Sequence, residues 1–247
     1  MRSAASIVAK GIAGIGSALM VFALLLHPAA AQTAEEHARA RRALVAELRA
    51  EHDPRLTADA LAVLERVPRH AFVPVAQRGA AYDNRPLGIG YGQTISQPYI
   101  VALMTSLAQP RRGQRILEIG TGSGYQAAVL AESGAQVYSI EIIEPLGRSA
   151  AQRLQALGYR NIETRIADGY YGWPERGPFD AIVVTAAASS VPPPLVAQLK
   201  PKGRMVIPVG SSFFTQTLML VEKGADGRVR TQQILPVRFV PLTRRER

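Results

Sequence analysis

Apolar and polar positions along the chain change rhythm near residue 115. Before it the spacing is helical. Glu35 to Ala50 carries Leu44, Val45 and Leu48 as one stripe among Ala, Arg and Glu, which predicts a surface helix broken by Asp53-Pro54. Thr57 is placed to cap a second helix with Asp59 in its first turn. Leu61, Leu64 and Val67 follow at helical spacing, and Pro68 stops it. Residues 72–98 are rich in Gly and Pro and hold no sustained period. That is long for a connection in a compact domain, so the segment is expected to be ordered and functional, with a helix starting near Pro98. After residue 115, short apolar runs alternate with helix-compatible stretches. Ile116 to Ile119 ends in Gly120, and a helix over Tyr125 to Ser133 follows. Val137 to Ile140 ends in Glu141, and a helix over residues 144–157 leads to Ile162 to Ile166. Phe179 to Thr185, a helix over Pro192 to Leu199 and a strand over Arg204 to Pro208 complete the series. Strands alternating with helices predict an α/β fold with a parallel sheet covered on both faces. Strands at 217–222 and 229–240, joined through Ala225-Asp226-Gly227, read as a terminal hairpin.

The N-terminus follows another logic. Arg2 and Lys10 precede the uncharged, mostly apolar stretch Gly11 to Leu26; His27-Pro28 breaks it, and Ala29-Ala30-Ala31 stands before Gln32. Positive, apolar, small-x-small is the pattern of a secretory signal peptide, cut here after Ala31. The stretch is short and Gly-rich against the about 20 apolar residues of a spanning helix. No Cys follows for lipid attachment, and no Arg pair precedes it for a twin-arginine route. The expected organisation is a signal peptide at 1–31, an N-terminal helical and substrate-loop region at 32–110, and a core at 111–247 forming one domain with it. The expected location is the periplasm, as a monomer with no stable membrane association after cleavage.

Charge changes this picture little. The formal net charge of +10 falls to +8 when Arg2 and Lys10 are removed (10 − 2). The remaining basic residues are scattered, and the one tight cluster, Arg244, Arg245 and Arg247, sits at an end expected to fray, so no nucleic-acid partner is expected. Tyr170, Tyr171 and Trp173 read as packing around a loop rather than as a platform for bases. The absence of Cys excludes disulfides, a Cys-ligated zinc and a thiol nucleophile. His27, His37, His52 and His70 share no helix-face spacing, so no metal site is expected.

The candidate chemistry begins at Glu118-Ile119-Gly120-Thr121-Gly122-Ser123-Gly124, a glycine-rich turn between a strand and a helix. Such a turn at a strand's C-terminal end is where open α/β sheets bind ligands. A dinucleotide fingerprint needs Gly at 125, where this chain has Tyr, which disfavours a nicotinamide oxidoreductase. No Lys-Ser or Lys-Thr follows, so this is not a phosphate-cradling loop. Glu118 at the strand end would repel a pyrophosphate and suits a ligand with an ammonium group and no phosphate, such as S-adenosylmethionine. Glu141, about 20 residues past the first glycine, can accept ribose hydroxyls. Asp168-Gly169 follows the third strand, in place to accept from an adenine amine.

Several segments resemble those of the protein-L-isoaspartate O-methyltransferases. They are Val67 to Pro74, Gly90 to Pro98, Leu117 to Tyr125, Asp168-Gly169 with Gly172-Trp173, Pro178 to Ile182, Thr185 to Ala187, Gln198 to Pro201, Ile207 to Gly210, and Arg238 to Thr243. The likeness spans about residues 55–243, and the Gln93-Thr94-Ile95-Ser96-Gln97-Pro98 run is its most family-specific part. It implies a Rossmann-like class I methyltransferase fold: a seven-stranded, mostly parallel sheet with a C-terminal antiparallel hairpin and an N-terminal helical extension. It implies S-adenosylmethionine as methyl donor and, as partners, damaged proteins and peptides carrying isoaspartate. The L-isoaspartyl carboxylate is methylated, and the ester closes to a succinimide that partly reopens as aspartate. By likeness Ser96 is the active-site serine. Gln93, Thr94, Ile95 and Ser96 line the pocket, and Glu118, Gly120, Gly122, Glu141, Asp168, Gly169 and Thr243 complete the cofactor site. Lys202 stands where the family has the first of two glycines, and a signal peptide is unusual in a mostly cytosolic family.

The carboxylate to be methylated has an ordinary pKa near 3.9 and is ionised at neutral pH, so no general base is required. Ser96 lacks triad partners; on the residues alone it reads better as a turn serine capping the helix at Pro98, and the resemblance reverses this, so it is expected to orient the carboxylate or the cofactor. Two alternatives stay open: an exported methyltransferase of another carboxylate, and an adenosyl-binding module without turnover.

Overall fold

The local signals set the elements. Thr33 accepts the Glu36 N–H while Glu36 accepts the Thr33 N–H, a reciprocal cap that starts α1 (Ala34–Ala50) and leaves Leu44, Val45 and Leu48 on its buried face. Thr57 caps α2 (Ala58–Arg66) through the Ala60 N–H. A tight turn over Arg69–Phe72 follows, with Arg69 wholly buried and donating to the Ala81 carbonyl at 2.8 Å. The segment without period folds into a two-stranded antiparallel hairpin, β1 (Leu87–Gly90) and β2 (Gln93–Ile95), and runs into α3 (Pro98–Ala108). This computed structural model describes residues 33–211 and 214–244, and residues from Gln32 onward form one compact unit. The expected signal peptide, Arg245 and Arg247 lie outside the described residues.

The main sheet follows: β3 (Arg115–Ile119), α4 (Tyr125–Ala131), β4 (Gln136–Glu141), α5 (Glu144–Ala156), β5 (Ile162–Ile166), β6 (Phe179–Val184), α6 (Pro193–Ala197), β7 (Leu199–Val209), β8 (Gln216–Lys223) and β9 (Val229–Val237). Its order is β5-β4-β3-β6-β7-β8-β9, parallel from β5 to β7 and antiparallel over β7-β8-β9. The expected seven strands and terminal hairpin are therefore present, although β7 starts earlier and β9 stops sooner than the pattern predicted.

Alternate residues of the central strands feed two cores. Ile116, Val137, Ala181, Val183 and Val206 pack with α1 to α5, whereas Leu117, Ile119, Ile182, Val184, Met205 and Ile207 pack with Trp173, Leu195 and Leu199. Between β3 and β6 the strand order reverses. That opens a crevice beyond their C-terminal ends, the place where doubly wound sheets bind ligands.

Candidate functional site

The glycine turn leaves β3 at this crevice. Gly120, Gly122 and Gly124 all have positive φ (95°, 55° and 92°). The turn is pinned to the next strand by the Gly120 and Thr121 N–H groups, both donating to the Ile140 carbonyl. Gly120 is required on two grounds: its backbone angle, and a Cβ there would stand 2.5 Å from Thr185 Oγ1. Gly169 is required by proximity alone, since its Cβ would meet Ile119 Cγ2 at 2.4 Å.

A cleft with about 530 Å³ of empty volume lies over this turn. Gln93, Thr94, Gly120, Gly122, Glu141, Gly169 and Thr243 line it, all expected from the sequence; Ile142, Ile143, Thr185 and Val240 to Leu242 add walls that were not. Glu141 is held firmly. Its Oε2 accepts the Gly122 N–H at 2.8 Å, and its Oε1 accepts the Ile142 and Ile143 N–H groups at 2.9 Å each. Three N–H groups occupy three of about four acceptor positions on a carboxylate, leaving about one for a ribose hydroxyl rather than the pair a free carboxylate would serve.

Two expected residues stand elsewhere. Glu118 shares the strand face of Ile116 and is wholly buried beneath the glycine turn, off the cleft. The Ser139 hydroxyl donates to its Oε2, while Oε1 has no hydrogen-bond partner. Burial, with the Glu141 charge adding to it, pushes this carboxyl up to about 8 against the opposing Ser139 bond. A side chain so placed is hydrogen-bonded to β4 and does not line the cleft. Asp168 lies just behind the wall formed by Gly169. Its Oδ1 accepts the Tyr170 N–H, and its Oδ2 pairs with Arg244 at 3.0 Å.

Arg244 corrects the expected frayed end. Its Nη2 donates to the Tyr171 hydroxyl at 2.9 Å, and its guanidinium lies 3.7 Å from the Tyr170 ring centroid. The 76 residues separating it from Asp168 hid the pairing from sequence reading. His37 and His70, also far apart in sequence, stack at 3.7 Å between α1 and the Arg69 turn.

A second opening, a groove with about 1340 Å³ of empty volume, runs between α3 and the end of β9. Ser96, Gln97, Tyr99 and Ile100 form one side and Leu235 to Val240 the other. A small chamber lined by Ile95, Ser96, Gly120, Gly122, Tyr125 and Gln126 joins it to the cleft; Thr94 and Thr185 line all three spaces. Ser96 thus faces the groove and chamber rather than the cleft. It is not the helix cap: Gln97 occupies that position without a side-chain bond, and among the described residues the Ser96 hydroxyl has no hydrogen-bond partner.

The residues fit an adenosyl ligand. A Cβ-free cradle, an anchored carboxylate at the second strand end and apolar walls from Ile119, Ile140 and Ile142 suit a ribose and a flat base without phosphates. Fold and site together define a class I S-adenosylmethionine-dependent methyltransferase. The model of one family of that class, described as protein-L-isoaspartate(D-aspartate) O-methyltransferase, matches residues 39–247, and the chain belongs to that family. A Polaromonas sp. relative named protein-L-isoaspartate O-methyltransferase 2 is 64% identical over 81% of this chain and 96% of its own length. An Opitutus terrae relative of the same family name is 55% identical over 92% of this chain and 97% of its own. A solved protein-L-isoaspartate O-methyltransferase superposes with a TM-score of 0.73 at 29% identity, covering 81% of this chain and 65% of that one. A Plasmodium falciparum structure determined with S-adenosyl-L-homocysteine shares the fold, with a TM-score of 0.71 at 24% identity over 82% and 98%.

Proposed function

We propose that this chain performs its family's reaction outside the cytoplasm: methylation of the L-isoaspartyl carboxylate of damaged proteins and peptides, with the cleft holding S-adenosylmethionine and the groove holding the damaged segment. The observation that carries this is the meeting of cleft and groove at Thr94 and Thr185, with the unpartnered Ser96 hydroxyl beside the junction. Bound in the cleft, S-adenosylmethionine supplies an electrophilic methyl group.

The chain's own residues then bind and aim. Glu141 and the glycine turn hold the adenosyl part, and Ile89, 3.5 Å from where a Gly122 Cβ would sit, shields the turn from the hairpin side. Ser96 donates to the incoming carboxylate. That group is ionised at neutral pH, so the residues have only to bring its oxygen to roughly 3–3.5 Å from the carbon it attacks. No side chain need remove a proton.

Export rests on the charged, apolar and Ala-x-Ala order of residues 1–31, and the mature protein acts as a monomer beginning at Gln32. One peptide in isoaspartyl and aspartyl versions tests the substrate: methyl transfer to the first alone supports the assignment, and equal transfer to both, or to neither, defeats it. Mass spectrometry of the periplasmic fraction tests export; a cytosolic chain retaining residues 1–31 would end that part of the proposal.

A further inference from the structure

The far wall of the cleft is a strap of backbone, residues 240–243, fixed to the end of β6 by two hydrogen bonds. The Ala187 N–H donates to the Val240 carbonyl, and the Leu242 N–H to the Ala187 carbonyl, both at 2.8 Å. Past Thr243 the Arg244 side chain holds the strap. Arg244 reaches the loop after β5 by three independent contacts: the Asp168 carboxylate at 3.0 Å, the Tyr171 hydroxyl at 2.9 Å and the face of Tyr170 at 3.7 Å. Asp168 also caps the short turn that begins at Gly169, and Gly169 is the opposite wall of the cleft. Arg244 therefore ties together the two walls between which an adenosyl group would lie.

An isolated exposed ion pair would decide little. A planar guanidinium that is ion-paired, hydrogen-bonded and stacked at once is held in one orientation, which a lysine at this place would not be.

We propose that Arg244 is a positioning residue that clasps the C-terminal strap to the Asp168 loop and so sets the affinity of the cleft for adenosyl ligands, without touching the reacting atoms. This rests on the adenosyl assignment of the cleft. Because the clasp acts at the adenosine end, it serves the methylated donor and the demethylated product alike.

The test is calorimetric titration of the full-length protein and of Arg244→Ala with S-adenosylmethionine and S-adenosyl-L-homocysteine, beside steady-state kinetics on an isoaspartyl peptide. The substitution is expected to weaken both ligands by the same factor, about tenfold. KM for the donor should rise in parallel, with kcat within about twofold of wild type. Arg244→Lys restores part of the loss. Tyr171→Phe, which removes the hydroxyl that accepts from Arg244, gives a smaller loss of the same kind. Added salt weakens wild-type binding more than that of Arg244→Ala. Wild-type affinity in Arg244→Ala, or a fall in kcat with affinity unchanged, overturns the clasp while leaving the cofactor assignment standing. A wild-type protein that binds neither ligand overturns the assignment itself, and the clasp with it.

Discussion

The Thr185 hydroxyl lies 2.7 Å from the Gly120 carbonyl oxygen and 3.0 Å from that of Ile119, so its one proton, just past the end of β6, is shared between two carbonyls at the end of β3 across the crevice. The same oxygen occupies the space a Gly120 side chain would need. Gly120→Ala is accordingly expected to cost about 2–3 kcal/mol of stability, from overpacking and a strained φ together. It should also weaken cofactor binding by at least about tenfold. Thermal denaturation and titration with S-adenosyl-L-homocysteine check this; a variant matching wild type in both would show that the crevice tolerates a methyl group.

Glu141 organises three backbone N–H groups as well as facing the cleft. Glu141→Ala removes an ionised acceptor, and hydrogen bonds to charged groups contribute about 1.5–3 kcal/mol each. The expected loss of cofactor affinity is about 10- to 100-fold. Calorimetry that returned the wild-type dissociation constant would remove this residue from ribose binding.

Ser96 presents its hydroxyl to the groove and not to the cleft. Ser96→Ala should therefore lower kcat on isoaspartyl peptides by about 10-fold or more while cofactor affinity stays within twofold. Unchanged turnover would exclude a part in orienting the carboxylate.

The half-buried His70 and the wholly buried Glu118 give stability a pH dependence of opposite sign. Burial, reinforced by the His37, Arg41 and Arg78 charges, holds the His70 imidazole down at about 4 against an ordinary 6.5. The unfolded chain then binds the extra proton between these values, and stability rises with pH across that window. Glu118 lies at about 8 against an ordinary 4.5, so here the folded chain holds the proton. Its contribution is complete below about 4.5 and is lost as pH climbs through 8, at up to about 1.4 kcal/mol per pH unit. Between pH 6.5 and 8 only the Glu118 effect of this pair remains. Urea unfolding of Glu118→Gln should show a flatter profile there, and His70→Gln should lose the rise with pH between about 4 and 6.5, leaving the Glu118 fall unopposed above about 4.5. Profiles parallel to wild type would refute these assignments.

Lys202 occupies a left-handed backbone position, φ 64°, just before Gly203. Lys202→Gly relieves a conformation that costs a side-chain-bearing residue about 1 kcal/mol. Tm should rise by roughly 2–4 °C with kinetics unaltered, as differential scanning calorimetry would register.

Much of the core was legible because each central strand is a short apolar run closed by a glycine or an acid, as at Gly120, Glu141 and Asp168. The hairpin over residues 87–95 was not. Its strands are four and three residues long, too short for the alternation of buried Leu87 and Ile89 with exposed Gly88 and Gly90 to stand out in the sequence. Glu118 was placed at the correct strand end but on the wrong side. A strand buried on both faces gives no alternation by which its inward and outward positions can be told apart. The three strand-end carboxylates were each given a separate contact with the ligand, whereas their partners Ser139, Gly122 and Arg244 come from different elements and only Glu141 lines the cleft. Thr185 was within a recognised segment, but only the reversal of strand order puts it beside Gly120.

β3 and β6, which lead into Gly120 and Thr185, have a hydrogen-bonded neighbour on either side, while the strap at 240–243 is tied to Ala187 by backbone bonds and to the Asp168 loop by Arg244. Amide exchange should then be slowest at the floor of the pocket and fastest along its outer lip. Ligand exchange that loosened this lip alone would leave the floor, and the glycine turn it carries, in place.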